Sequence, residues 1–195
     1  MKKYVCFFIA IVSFRYKTHS TFPILDCVGQ LSPEVVQSTA GAEHPGFPAS
    51  SVLILGEEDG WLDNNYIERN YWMAENGKTT GQGFTVKLDD CARMIAGCQI
   101  KNLGKGSWGR GTKDFKVSSS TNENGPWETL VEDQLVDTIW GKFASLLNFP
   151  FEKPVEIQFL KFELISYWGG VGGGLQYFAA ILAKSKKYQY ACQIY

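Results

Sequence analysis

The chain has 195 residues, of which 45% are hydrophobic and 20% charged, enough apolar surface for one well-packed domain and too few residues for two large ones. A formal charge of −1 and a normal charged fraction exclude a disordered polyelectrolyte and give no electrostatic footprint for nucleic acid. Aromatics reach 14%, with 6 Trp, 9 Tyr and 13 Phe among 20 Gly, a balance of strand formers and strand punctuation that leans to an all-β fold.

The first residues, MKKYVCFFIAIVSFRYKTHS, run from a basic start at Lys2 and Lys3 through an apolar segment to a polar stretch. That order is the order of a secretory leader, and its apolar part is too short to span a bilayer. Residues 1–20 are therefore expected to be a signal peptide cut between Ser13 and Thr21, and residues 21–195 a single extracellular domain. The cut removes Lys2, Lys3, Arg15 and Lys17 and no acid, so the formal charge moves from −1 to −5. A mildly acidic secreted domain is a poor nucleic-acid binder.

Four of the 5 cysteines survive that cut: Cys27, Cys91, Cys98 and Cys192. An even count in an oxidising compartment points to bridges, with three pairings open. One bridge can tie Cys27, near the mature start, to Cys192, near the end. Cys91 and Cys98 can bridge each other or stay as buried thiols; their spacing is not that of a metal site.

Residues 27–48 read as a loop-rich entry broken by Pro33, Pro45 and Pro48. A short apolar run, SSVLIL, leads into a polar loop at residues 56–70 that holds Trp61 and a cluster of acids including Asp59 and Asp63. Oxygen ligands at that density can hold calcium, although the spacing is not that of an EF-hand. A turn at Asn76-Gly77 precedes QGFTVKL, in which Phe84, Val86 and Leu88 share one face. Residues 94–101 are a further strand, followed by the glycine-rich loop NLGKGSWGRGT with Trp108 and Arg110. DFKVSSS alternates through Phe115 and Val117, TNENGP is a turn, and residues 127–135 resume strand character. Residues 139–151 space Trp140, Phe143, Leu146 and Leu147 in a way that suits a helical turn. In LKFELISYWGGVGGGLQYF, Leu160, Phe162 and Leu164 alternate with Lys161 and Glu163, then Tyr167 and Trp168 enter a glycine turn before a last apolar strand.

Catalytic patterns are scarce. His44 is the only histidine of the mature chain, no GxSxG elbow exists, and Gly104-Lys105-Gly106-Ser107 lacks the P-loop spacing. Scattered acids leave a glycosidase conceivable without singling out a pair. The aromatics in polar loops carry more: Trp61, Trp108, Tyr167 and Trp168, with Arg110 beside them, are suited to stack on sugar faces or to enter a lipid interface. Against that, large aromatics also plug the ends of small β domains.

With the strands and loops in order, the chain from about residue 36 to residue 182 resembles the discoidin, or coagulation factor V/VIII type C, domain. The segments that carry the resemblance are STAGAEHPGFPASSVL (38–53), YWMAENGKTTGQGFTVKL (71–88), IAGCQIKN (95–102), RGTKDFKVSSSTNENGPWETL (110–130) and PVEIQFLKFELISYWGGVGGGLQYFAAI (154–181). It implies a galactose-binding-like jelly roll, a β-sandwich of two antiparallel sheets, with ligand-binding loops at one end and no catalysis of its own. It further implies that Trp72 and Trp127 are core residues and that Cys27 and Cys192 form the bridge closing the domain. The function expected is a secreted module that recognises a carbohydrate or cell-surface ligand; the rivals are a phospholipid-surface or protein-adhesion module and, less so, a glycosidase.

Overall fold

The computed structural model describes residues 31–38, 46–54, 71–75, 77, 81–103, 110–136, 144–169 and 172–183. They form nine strands and one short 3₁₀ turn. The strands are β1 (Glu34–Ser38), β2 (Trp72–Met73), β3 (Gln82–Lys87), β4 (Arg93–Asn102) and β5 (Asp114–Ser120). After these come β6 (Glu128–Gln134), β7 (Leu146–Ile157), β8 (Phe159–Leu164) and β9 (Gly174–Leu182). One sheet runs β1-β3-β8-β5-β6 and the other β2-β9-β4-β7, and every recorded pairing is antiparallel. The fold is thus the expected all-β sandwich.

Period-two patterning decides which face of each strand is buried. Phe84 and Val86 of β3, Phe115 and Val117 of β5, and Leu160, Phe162 and Leu164 of β8 all point between the sheets. Phe162 is the centre of that layer. Its ring lies 5.3 Å from Phe84 and 5.8 Å from Phe115, both stacked, and 6.2 Å from Trp72 and 5.9 Å from Phe178, both edge-on. Trp72 and Phe178 belong to the opposite sheet, so one side chain joins both layers. Stacked and edge-on pairs at these distances add to the area buried.

Close strand approach at this layer requires glycine at one position. A Cβ at Gly83 would stand 2.1 Å from the Phe162 carbonyl oxygen. In the other sheet the phase of β4 changes. Ile95 and Cys98 are both fully buried although three residues apart, and the register slips between Ile95 and Gly97 against both neighbouring strands. That bulge resets the alternation so that Cys98, Ile100 and Asn102 all face inward.

Four expectations need correcting. The entry loop contains β1, because the residues after Pro33 are free to extend, and Glu34, Val35, Gln37 and Ser38 pair along the β3 edge. The helical turn considered near residues 139–151 is excluded from Leu146 onward. That stretch is β7, an edge strand in which Pro150 and Pro154 are tolerated because only β4 pairs with it. Trp127 is not a core residue: it lies half-buried on the outer face of the first sheet, with the Lys161 ammonium 5.7 Å from its ring. Finally, the even pairing of the four mature cysteines fails: Cys98 is a buried free thiol, one of the two alternatives open to it, whereas Cys91 is disulfide-bonded, so the two do not bridge each other. Burial pushes the Cys98 thiol up to about 12, which keeps it protonated and inert at neutral pH. The proposed Cys27–Cys192 bridge lies outside the described residues.

Phe162→Ala is expected to cost about 3–5 kcal/mol in urea unfolding, the range for deleting a large buried ring. Trp127→Ala is expected to cost no more than about 1 kcal/mol, because it removes a partly exposed cation–π contact.

Candidate functional site

Strand registers bring the same end of both sheets together. β3, β5, β7 and β9 begin there, and β4, β6 and β8 finish there. The connections that leave and return at that end join β2 to β3, β4 to β5, β6 to β7 and β8 to β9, and their described residues are 74, 75, 77, 81, 103, 110–113, 135–136, 144–145, 165–169 and 172–173. Both ends of the glycine-rich loop and most of the aromatic turn singled out in the sequence are among these.

Asn102 locks this end. It occupies an inward position at the end of β4, two residues after Ile100, and is 4% exposed. Its Oδ1 accepts from the backbone N–H of Leu103 at 3.0 Å and of Thr112 at 2.9 Å. Its Nδ2 donates to the carbonyls of Thr112 at 2.8 Å and Val136 at 3.2 Å. Two N–H donors and two carbonyl acceptors use the whole hydrogen-bonding capacity of the amide and fix its orientation. Thr112 is itself fully buried, and its hydroxyl donates to the Gly174 carbonyl at 2.9 Å. Two other chain segments, at Thr112 and Val136, are thereby tied to the end of β4, and a third, the start of β9, is tied to Thr112.

Residues 110–113 run antiparallel to residues 166–168, through a bridge between Thr112 and Tyr167 and through Lys113 N–H donating to the Ser166 carbonyl at 2.8 Å. Trp168 is held on two sides. Its backbone N–H donates to Gly111 at 3.0 Å, and its indole Nε1 donates to the Leu135 carbonyl at 2.9 Å. The ring is half-buried, and the Lys113 ammonium stands 5.2 Å from its centroid. With its N–H spent on the protein, what the indole has left for other contacts is the face and edge of its ring.

Beside it, Asp114 accepts from the Ser166 hydroxyl and from Gln134 Nε2, the latter at 2.6 Å. The Ser166 and Gln134 hydrogen bonds hold its carboxyl below the usual carboxylate range. Among the described residues, no group of three or more His, Cys, Asp or Glu side chains could hold a metal ion.

Of the residues picked from the sequence, Arg110, Tyr167 and Trp168 meet at this end, all three half-buried rather than fully exposed. Trp61, Trp108 and the calcium candidates Asp59 and Asp63 lie outside the described residues. Sequence reading missed Asn102, Thr112, Lys113 and the Asp114–Ser166–Gln134 cluster. Asn102 had a usable signal: a polar side chain at the core-facing phase of an apolar strand must find buried partners.

Solved structures share this architecture. A family 32 carbohydrate-binding module from Clostridium perfringens NanJ, solved with galactose, superposes with a TM-score of 0.52 at 17% identity over 77% of this chain and 92% of the module. The corresponding module of Streptococcus pneumoniae EndoD gives 0.53 at 15% identity, over 78% of this chain and 97% of that one. A family 32 module of a family 31 glycoside hydrolase, bound to GalNAc, gives 0.56 at 10% identity, over 80% and 100%. No family model and no curated protein matches the sequence. The chain therefore has the galactose-binding-like β-sandwich fold of these modules.

Asn102→Ala is expected to destabilise the domain by about 3 kcal/mol or more, since it strands several buried backbone groups at once. Hydrogen exchange should rise at the Leu103 and Thr112 amides while the β3–β8 ladder stays protected. Ser166→Ala is expected to raise the Asp114 pKa towards its ordinary value in a carbon-detected NMR titration. Because the folded pKa is depressed, the stability linked to Asp114 is present above the unfolded pKa and is lost as pH falls through the folded one. The variant should show a weaker dependence, the part due to Gln134 remaining.

Proposed function

We propose that this chain is a secreted, non-catalytic carbohydrate-binding domain of the discoidin type, which holds a glycan at the end of the sandwich where residues 110–113, 135–136 and 166–168 converge. The observation that carries the reading is the half-buried Trp168 indole, pinned through both its backbone and its ring N–H, with the Lys113 ammonium over its ring. Sugar stacking needs a ring whose orientation is set before the ligand arrives, because ordering it on binding would cost affinity. Asn102 and the Leu135 carbonyl supply that preorganisation.

The structural neighbours support the choice of ligand class: by description, one is complexed with galactose, another with GalNAc-β-1,3-galactose and a third with 4,5-unsaturated mannuronic acid. Several of them are accessory modules of glycoside hydrolases, in which binding and catalysis reside in separate domains. The basic and apolar leader and the disulfide at Cys91 support secretion, because bridges persist in oxidising compartments. Cell adhesion through a surface glycan is the role such a module would serve.

A glycan array and then titration of intrinsic tryptophan fluorescence test this. Wild type is expected to bind a defined subset of glycans, and Trp168→Ala to weaken binding by at least about tenfold, consistent with losing a stacked aromatic at a binding hot spot. An array without hits, or unchanged affinity in Trp168→Ala, would contradict the assignment.

A further inference from the structure

Lys113 bears on which sugars the Trp168 site takes, an inference that rests on the carbohydrate-binding reading above. Its ammonium is 5.2 Å from the Trp168 ring centroid, and among the described residues it makes no ion pair. The nearest carboxylate along the chain, Asp114, is occupied by the Ser166 hydroxyl and the Gln134 amide, and adjacent residues of an extended chain point to opposite sides. Lys113 contributes least to the depressed pKa of Asp114, after both hydrogen bonds, which fits a cation aimed mainly elsewhere.

The lysine is fixed at its backbone: its N–H donates to Ser166 at 2.8 Å and its carbonyl accepts from Leu135 at 2.8 Å. The first segment carries Trp168 and the second accepts its indole N–H, so ammonium and indole share one hydrogen-bonded frame. We infer that Lys113 makes the Trp168 platform selective for acidic sugars, uronic acids in the first place, over their neutral counterparts. A uronate stacked on the indole keeps its ring contacts and gains a carboxylate–ammonium contact when the ammonium, which lies over the ring, swings towards it. The neutral sugar gains no such contact. A half-buried cation–π pair at the surface is weak enough for the ammonium to shift onto a carboxylate without loss of the indole's position.

The test uses the full-length mature chain and three matched pairs of methyl glycosides: galactoside and galacturonide, glucoside and glucuronide, mannoside and mannuronide. Within each pair only the exocyclic carbon differs, hydroxymethyl against carboxylate. In calorimetric titrations at low salt, wild type is expected to favour the uronide of the pair it binds by about fivefold, the upper end for an exposed ion pair. The preference should shrink in 0.5 M NaCl, used at roughly the salt level that shortens the Debye length to a few ångströms. Lys113→Gln should abolish the preference while still binding the neutral sugar. Equal or weaker binding of the uronide by wild type, or a preference unchanged in Lys113→Gln, overturns this inference and leaves the carbohydrate reading standing. Binding of none of the six overturns the site itself and this inference with it.

Discussion

Everything in this domain hangs on the packing of Phe162 between two sheets. Its ring touches Phe84 and Phe115 within its own sheet and Trp72 and Phe178 across the sandwich, with centroid separations of 5.3 to 6.2 Å. A strand whose inward residue engages four rings has little freedom to slide, since a one-residue slip would turn Lys161 and Glu163 into the core. On the outer face those two form an ion pair at 3.3 Å, and Glu163 also meets Lys116 at 3.0 Å. Such surface pairs contribute little on their own, but the wrong register would desolvate them. The central strand is therefore fixed from both faces.

With β8 fixed, the chain beyond it is constrained too. It leaves Leu164, crosses the end of the sandwich through Tyr167 and Trp168 and returns as β9 in the other sheet. The connection from β4 to β5 leaves and re-enters at the same end, at Leu103 and at residues 110–113. Two inter-sheet connections side by side carry backbone groups that strands cannot satisfy, and a buried polar side chain has to do so. Asn102 and Thr112 take that part. The polar core of the loop end and the aromatic core between the sheets thus have different chemistry and one shared consequence, that the Trp168 indole is held in place.

The fold was legible because its strands announce themselves. QGFTVKL, DFKVSSS and LKFEL alternate cleanly, and the turns between them carry glycine, asparagine and proline. Where alternation fails the sequence misleads. β7 is interrupted by Pro150 and Pro154, and a bulge in its partner β4 disguises the phase, so the stretch resembled a helical turn. Trp127 misled in another way, since a tryptophan after a turn fits a core plug and a lid over Lys161 equally well until the surrounding chain is placed. At the site, Arg110, Tyr167 and Trp168 stood out as aromatics and a cation in glycine-rich loops. Lys113 and Asn102 did not, because the significance of Lys113 depends on Trp168 and that of Asn102 on Thr112 and Val136, which only the folded chain brings to them.

A sugar-binding role and the geometry of the loop end make one claim together: ligand contact is confined to the end where β4 meets β5 and β8 meets β9. Chemical-shift mapping of the isotope-labelled domain, titrated with whichever glycan the array selects, tests it most directly. Perturbed amides should cluster at residues 110–114, 135–136 and 166–169, with the Trp168 indole N–H among them. Perturbations concentrated at residues 88–92 and 121–127, at the opposite end of the sandwich, would contradict it.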